Sequence, residues 1–320
     1  MNRVLIIDAM NMYFRNYIIN PSISTNGNPI GGLKGFLQSL QKTIKDVNPS
    51  EIIICWDGGG GSKKRKTLVK TYKEGRSPIR LNRSIRQMTR EQEIENKNWQ
   101  LTRLFSYLNE LPVIQLIIDD IEADDIISQV AQHPVYEDWQ KVIVSSDKDF
   151  YQLLNDSTIL IRPIQKKIVN KNNILEEFKI HPNNFALARS IVGDKTDNLP
   201  GITGIGLPTV AKRFPFLVEE KSYTIQEIID HCEDNKIKNI KAYNNILDNE
   251  GVVELNYKMM QLYAPSISVQ SKGKIDYVIS NFEYDYDREA FQQMMVQDGF
   301  GQYSFENLFR ACREIVKENK

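Results

Sequence analysis

Arg3-Val-Leu-Ile-Ile-Asp8 is a short, unbroken apolar run that ends on a carboxylate. Such a run, with no polar alternation, reads as a strand buried on both faces, as in a parallel sheet covered by helices. The pattern returns at 51–57 (EIIICWD), 113–120 (VIQLIIDD) and 141–147 (KVIVSSD). Helical periodicity fills the intervals near 33–46, 91–109 and 122–132. Strands alternating with helices predict an α/β fold with a parallel sheet. Ligands of such sheets bind beyond the carboxyl ends of the strands. The acids stand there: Asp8, Asp57 and Asp147 end strands, and Asp119-Asp120 leads into the next helix start, Glu122-Ala-Asp-Asp125.

The 320 residues suffice for a sizeable core. No apolar run approaches the roughly 20 residues that cross a bilayer. The first strand is too short for a signal-peptide core and lacks a cleavage pattern, so a cytoplasmic protein with no membrane association is expected. Cys55, Cys232 and Cys312 lie far apart and form no disulfide or zinc pattern. His133, His181 and His231 lack metal-ligand spacing and read as surface or cap residues. Lys and Arg total 41 against 41 Asp and Glu, but the neutral sum hides a separation: residues 61–90 hold eleven Lys or Arg and one acid, Glu74. A solvated helix normally mixes signs. A run without acids to pair instead suits a face turned to phosphates. Arg83, Arg86 and Arg90 share a side if the end of this run is helical. The four glycines at 58–61 read as a hinge or loop.

Nine acids occupy the junctions: Asp8, Asp57, Glu122, Asp124, Asp125, Asp147, Asp149, Asp194 and Asp197. One acid at a strand end is ordinarily a turn or cap residue. Nine at one sheet edge would repel one another unless cations held them. Oxygen donors without His or Cys suit Mg²⁺ or Mn²⁺. Two such ions about 4 Å apart stabilise both the attacking and the leaving oxygen of a phosphodiester. Asp147 and Asp149 point the same way if the fourth strand continues. The i, i+3 spacing of Asp194 and Asp197 puts them on one helical face. A DxD pair also occurs in topoisomerase-primase folds, which do not call for the acids at 194 and 197.

Taken in order, LIIDAMNMYFR (5–15), CWDGGGGSKKR (55–65), YKEGR (72–76), IEADD (121–125), VSSDKDFYQLL (144–154) and GDKTDNLPGITGIG (193–206) resemble the 5′ nuclease family. That family includes flap endonucleases, the 5′ nuclease domain of bacterial DNA polymerase I and phage 5′–3′ exonucleases. The resemblance covers roughly 1–215. It implies a PIN-like parallel sheet flanked by helices, with a basic helical arch at about 61–97, in a nuclease domain spanning 1–175. A helix-three-turn-helix DNA-binding region and a C-terminal segment would fill 176–320. It implies two metal ions. Asp8, Asp57, Glu122, Asp124 and Asp125 would serve the first, Asp149, Asp194 and Asp197 the second, with Asp147 between. Lys73 and Arg76 would contact the scissile phosphate, with Arg15 nearby; their i, i+3 spacing would aim both from one helical turn. DNA contacts would come from Lys63, Lys64, Arg65, Arg80, Arg83, Arg86 and Arg90, and from Gly201, Gly204, Gly206, Lys212 and Arg213 at the hairpin, where K⁺ is a further expected ligand.

One departure stands out. The family hairpin usually reads GIGxKTA, and here Pro208 holds the lysine position. Proline suits a helix start, but one cationic phosphate contact is gone, which Lys212 and Arg213 would offset. For Tyr13, Phe14 and Tyr72, core packing and base stacking are both open. The expected activity is 5′–3′ exonucleolytic and flap endonucleolytic cutting of branched or 5′-ended duplex DNA, and of RNA primers in RNA–DNA hybrids, in replication or repair. The expected protein is a stand-alone monomer with a replication-protein partner. An inactive DNA-structure binder would lack several acids, and all are present. A PIN-like single-strand ribonuclease gives no reason for the hairpin at 201–206.

Overall fold

The computed structural model describes residues 1–77, 79–85 and 88–319. In chain order the elements are β1 Arg3–Asp8, α1 Ala9–Ile19, α2 Gly31–Val47, β2 Glu51–Trp56, α3 Lys63–Leu68, α4 Arg90–Asn109, β3 Ile114–Ile117, α5 Ala123–Ala131, β4 Gln140–Val144, β5 Thr158–Arg162, β6 Lys167–Val169, α6 Lys171–Phe178, α7 Phe185–Val192, α8 Leu207–Arg213, α9 Ile225–Asp234, α10 Lys241–Leu247, α11 Glu250–Met260, α12 Val269–Ser280, α13 Arg288–Gln297 and α14 Glu306–Asn319. The sheet order is β3-β2-β1-β4-β5-β6. The first five strands pair in parallel and β6 closes the edge antiparallel to β5.

The apolar runs alternate between two cores, as the pleat requires. Val4, Ile6, Ile53 and Ile143 face one core, while Leu5, Ile7, Ile54 and Val144 face the other. Over the second face lies α2, whose Leu33, Phe36, Leu37, Leu40 and Ile44 recur at helical spacing and are buried. Helix α14 joins this core through Leu308, Phe309, Cys312 and Ile315, so the C-terminal segment packs back on α2. The first core continues without a break from the sheet through Ile174 and Phe185 to Ile228 and Ile275.

Several local expectations are corrected. The fourth strand stops at Val144 and does not carry Asp147 and Asp149 in one direction. The Asp147 carboxylate accepts from the Asp149 amide at 2.8 Å, and a 3-10 turn begins at Asp149. That local bond offers the backbone an alternative to the ladder. No helix forms over the described residues between 79 and 89. Asn82 accepts from the Ser84 amide at 2.9 Å, and α4 starts only where Thr89 and Gln92 form a capping box. Arg83 and Arg90 are exposed, but not on a shared helical side. Arg86 lies outside the described residues. The glycines at 58–61 form a packed turn rather than a hinge: a Cβ on Gly58 would stand 1.7 Å from the Ile118 carbonyl oxygen. His133 and His181 do cap 3-10 turns, whereas His231 packs among Phe214, Phe216 and Tyr243.

Candidate active site

Beyond the carboxyl ends of β1, β2 and β4 lies a cavity of about 410 Å³. Asp8, Asp57, Asp124, Asp147, Asp149 and Asp197 line it, together with Arg15, Arg65, Lys73 and Arg76. Each acid arrives on a different local device. Asp8 is the N-cap of α1, accepting from the Asn11 amide at 3.0 Å and from the Ser145 hydroxyl at 2.8 Å. Asp57 accepts from the Ala123 amide at 2.8 Å, which ties the end of β2 to the first turn of α5. Asp124 enters from that first turn, and Asp197 from a 3-10 turn at 195–197.

Five of the acids are held by the chain's own cations, whereas Asp147 accepts from the Asp149 amide. Glu122, with its side chain 4% exposed, accepts from Arg65 at 2.7 Å, Lys73 at 2.9 Å and the Tyr72 hydroxyl at 3.2 Å. Asp125 takes a bidentate pair from Arg65 at 2.9 and 3.2 Å. Arg189 bridges Asp149 at 3.2 Å and Asp194 at 2.5 Å. Arg76 pairs with Asp197.

Burial, then repulsion from Asp57 and Asp147, pushes the Asp8 carboxyl up to about 7, against hydrogen bonds from Asn11 and Ser145. Burial and Asp147 likewise push Asp149 up to about 7. Asp124 rises well above the carboxylate range through burial, Asp147 and Asp8. Burial draws Lys73 down, but Glu122 and Asp124 more than offset it and leave the ammonium above its usual value. Burial alone draws Arg15 below the guanidinium range.

As placed, no three of these acids among the described residues converge closely enough to hold an ion unaided. The donor set nevertheless fits one. It is all oxygen, and three carboxyls are raised by burial and by one another's charge, which a bound cation would offset. Hard divalent cations such as Mg²⁺ and Mn²⁺ match such donors.

Three placements differ from expectation. Lys73 and Arg76 do not share a helical turn. Residues 71–75 are turns, Lys73 has φ 56° and Gly75 φ 73°, and the two cations reach separate acids, Glu122 and Asp197. Asp194 and Asp197 are likewise parted, one on Arg189 and the other on Arg76. Arg65, expected on DNA, lines the cavity but spends its guanidinium on Glu122, Asp125 and the Met259 carbonyl, and a cation paired with two buried carboxylates is costly to withdraw. Lys63 and Arg80 stay exposed beside Asp120 and Glu93, and Lys64 reaches the Ser266 carbonyl. Tyr13 is buried in the core, whereas Phe14 and the largely buried Tyr72 both line the cavity. Arg189 escaped the sequence reading because a cation in the last turn of a helix is ordinarily a terminal charge partner.

Between α7 and α8 the chain makes a tight connection at 193–206. Gly201 lies against α7, where a Cβ would stand 1.8 Å from the Val192 carbonyl oxygen, and Gly204 has φ 79°. Gly206 is the N-cap of α8, and Pro208 is the second residue of that helix. Lys212 is exposed and Arg213 half-buried.

The sequence profile described as "5'-3' exonuclease, N-terminal resolvase-like domain" matches residues 3–179. The chain belongs to the 5′–3′ exonuclease family. A curated 5'-3' exonuclease of Buchnera aphidicola subsp. Schizaphis graminum is 32% identical over 260 residues, which cover 80% of this chain and 81% of that protein. The thermostable DNA polymerase I of Thermus thermophilus is 27% identical over 211 residues, 66% of this chain and 23% of the polymerase. Among solved structures, the bacteriophage T5 D15 flap endonuclease, in a complex with DNA and metal ions, superposes with TM-score 0.64 at 16% identity, over 99% of each chain. That likeness is one of fold: a mixed α/β architecture with a parallel-dominated sheet between helices. The chain is accordingly a nuclease of the 5′ class. No helix among the described residues is long and apolar enough to cross a membrane.

Proposed function

We propose that this nuclease hydrolyses phosphodiesters near the 5′ ends and branch points of DNA, as exonuclease and flap endonuclease, using two divalent ions. One observation carries the reading: carboxylates from separate elements line one cavity together with the cations Arg15, Arg65, Lys73 and Arg76. Asp8, Asp57, Asp124, Asp147, Asp149 and Asp197 would supply the ion-facing oxygens. Bound there, Mg²⁺ or Mn²⁺ would activate water and neutralise charge on the attacking and leaving oxygens.

The chain's own groups do the rest. Arg65 holds Glu122 and Asp125 and so fixes the first turn of α5, which presents Asp124. Lys73 and Arg76, now on Glu122 and Asp197, would take the scissile phosphate between them. Their charge then opposes the negative charge that builds on phosphorus during attack. Arg189 holds Asp149 and Asp194 side by side.

The division suggested by the family likeness places the nuclease domain at 1–175, PIN-like with an arch at about 61–97, and a helix-three-turn-helix region within 176–320. The connection at 193–206 between α7 and α8 supports that second assignment. There the backbone would approach duplex phosphates and K⁺, with Lys212 and Arg213 adding charge. RNA primers in RNA–DNA hybrids, a replication partner and a monomeric state complete the reading.

The deciding experiment compares a 5′-flap duplex with plain single-stranded DNA and RNA in Mg²⁺. Cutting near the flap junction is expected. Binding without cutting would make the chain a structure-binding protein, and preference for single-stranded RNA would make it a ribonuclease; either result overturns the proposal.

A further inference from the structure

A second cavity, of about 490 Å³, lies on the sheet face over β4 and β5. Here α1 and α2 cover β1 but stop short of β5, so Ile159 and Ile161 are only half-buried, and Ile168 on β6 is 60% exposed. Val142, Ile159 and Ile161 floor the groove, and Lys42, Lys166 and Lys167 stand exposed at its rim. Asp46 is the only acid among the described residues lining it. Lys167 has one distant, exposed partner, Glu177 at 3.9 Å, which holds it weakly. The groove is thus apolar below and cationic above, and an anionic occupant with apolar faces complements it.

Its position singles out the occupant. Arg15 lines both this groove and the catalytic cavity, and the consecutive residues Pro163 and Ile164 divide between the two. The groove therefore begins where the catalytic cavity ends and follows the length of β5, about 15 Å at the usual rise per residue.

We infer that this groove is a subsite for the single-stranded 5′ arm of the substrate, the part released on cutting. The inference rests on the 5′ nuclease reading above. Phosphates meet Lys42, Lys166 and Lys167, and base faces lie on the aliphatic floor. Backbone charge supplies the affinity and carries no sequence information. The site is accordingly indifferent to sequence and sensitive to salt.

The test uses the full chain with Lys42, Lys166 and Lys167 all changed to Gln, surface changes that leave the core untouched. Binding is measured without divalent ion, across a salt series, on a duplex with a long single-stranded 5′ arm and on the same duplex with a one-nucleotide arm. Each single-strand phosphate contact contributes about 0.7 to the slope of log affinity against log salt, so losing three lowers the long-arm slope by about 2. Short-arm binding and the saturated single-turnover rate stay at the parent values.

Equal weakening on both substrates, or an unchanged long-arm slope, overturns the inference. So does an acidic peptide that competes for the groove while arm binding stays at the parent level, since the face would then receive a protein. If the parent itself fails to cut, the 5′ nuclease reading falls, and the metal-free comparison of arms still decides the groove.

Discussion

Asp197 shows how much of the site is settled side chain by side chain. It lines the cavity, yet its carboxylate is engaged by Arg76. Asp197→Asn keeps the shape and removes the charge. Cleavage is expected to fall sharply, while DNA affinity holds or rises because repulsion toward phosphate is reduced. Cutting at the parent rate would remove Asp197 from the ion-facing set. Lys73→Ala and Arg76→Ala are each expected to slow single-turnover cleavage of a 5′-flap substrate by about 10²–10³, with duplex affinity little changed at fixed salt. Variants that bind worse but cut at the parent rate once saturated would reduce both residues to a grip. The nine acids could be singled out in the sequence because they stand at or just beyond strand ends and in or beside helix starts and short turns. Most of their pairings with Arg65, Arg76 and Arg189 could not, since those partners lie 57 and 60 residues from Glu122 and Asp125, 121 from Asp197 and 40 from Asp149; Asp194, five residues from Arg189, is the exception.

At the level of elements, local chemistry overrode pattern in the basic segment. Asn82 and the Thr89–Gln92 capping box postpone the helix that the spacing of Arg83 and Arg90 suggested. Strands β5 and β6 went unread because each is only partly buried, β5 beginning on Thr158 and ending on Arg162 and β6 having three residues, without the continuous apolar signature of β1 and β2. Helix α8 offers a direct test of the hairpin. Pro208 lies at its start, where proline is tolerated and no intrahelical donor is lost. Pro208→Lys restores a cation at that helix start. Duplex affinity is expected to rise, with a salt slope steeper by about 0.9, while the saturated cleavage rate stays at the parent value. An unchanged slope would show that α8 does not meet a phosphate.

For the whole molecule, the two cores fill without any ion, so chelation should stop cleavage and leave the chain folded. Persistent hydrolysis in excess chelator would overturn the two-ion reading. Stability should still respond to pH. Asp8 and Asp149 are raised from 3.8 to about 7, so between those values the folded chain keeps protons that the unfolded chain releases. Metal-free stability is therefore greatest below about pH 4 as far as these groups decide it, and it declines as pH rises through 7. A divalent ion at 100 times its Kd adds about 2.7 kcal/mol. Because it competes with those protons, the gain in Tm should be larger at pH 8 than at pH 5. Equal gains in thermal scans at both values would show that these carboxyls do not face the ion. The sequence by itself determined the parallel α/β core and the acids at its edge, because strand burial, helix starts and turn chemistry are written in neighbouring residues. Only the tertiary structure decided which acids face the cavity, which are locked by Arg65 and Arg189, and that the face over β5 stays open. Those outcomes depend on side chains brought together from distant parts of the chain, and on where α1 and α2 stop across the sheet.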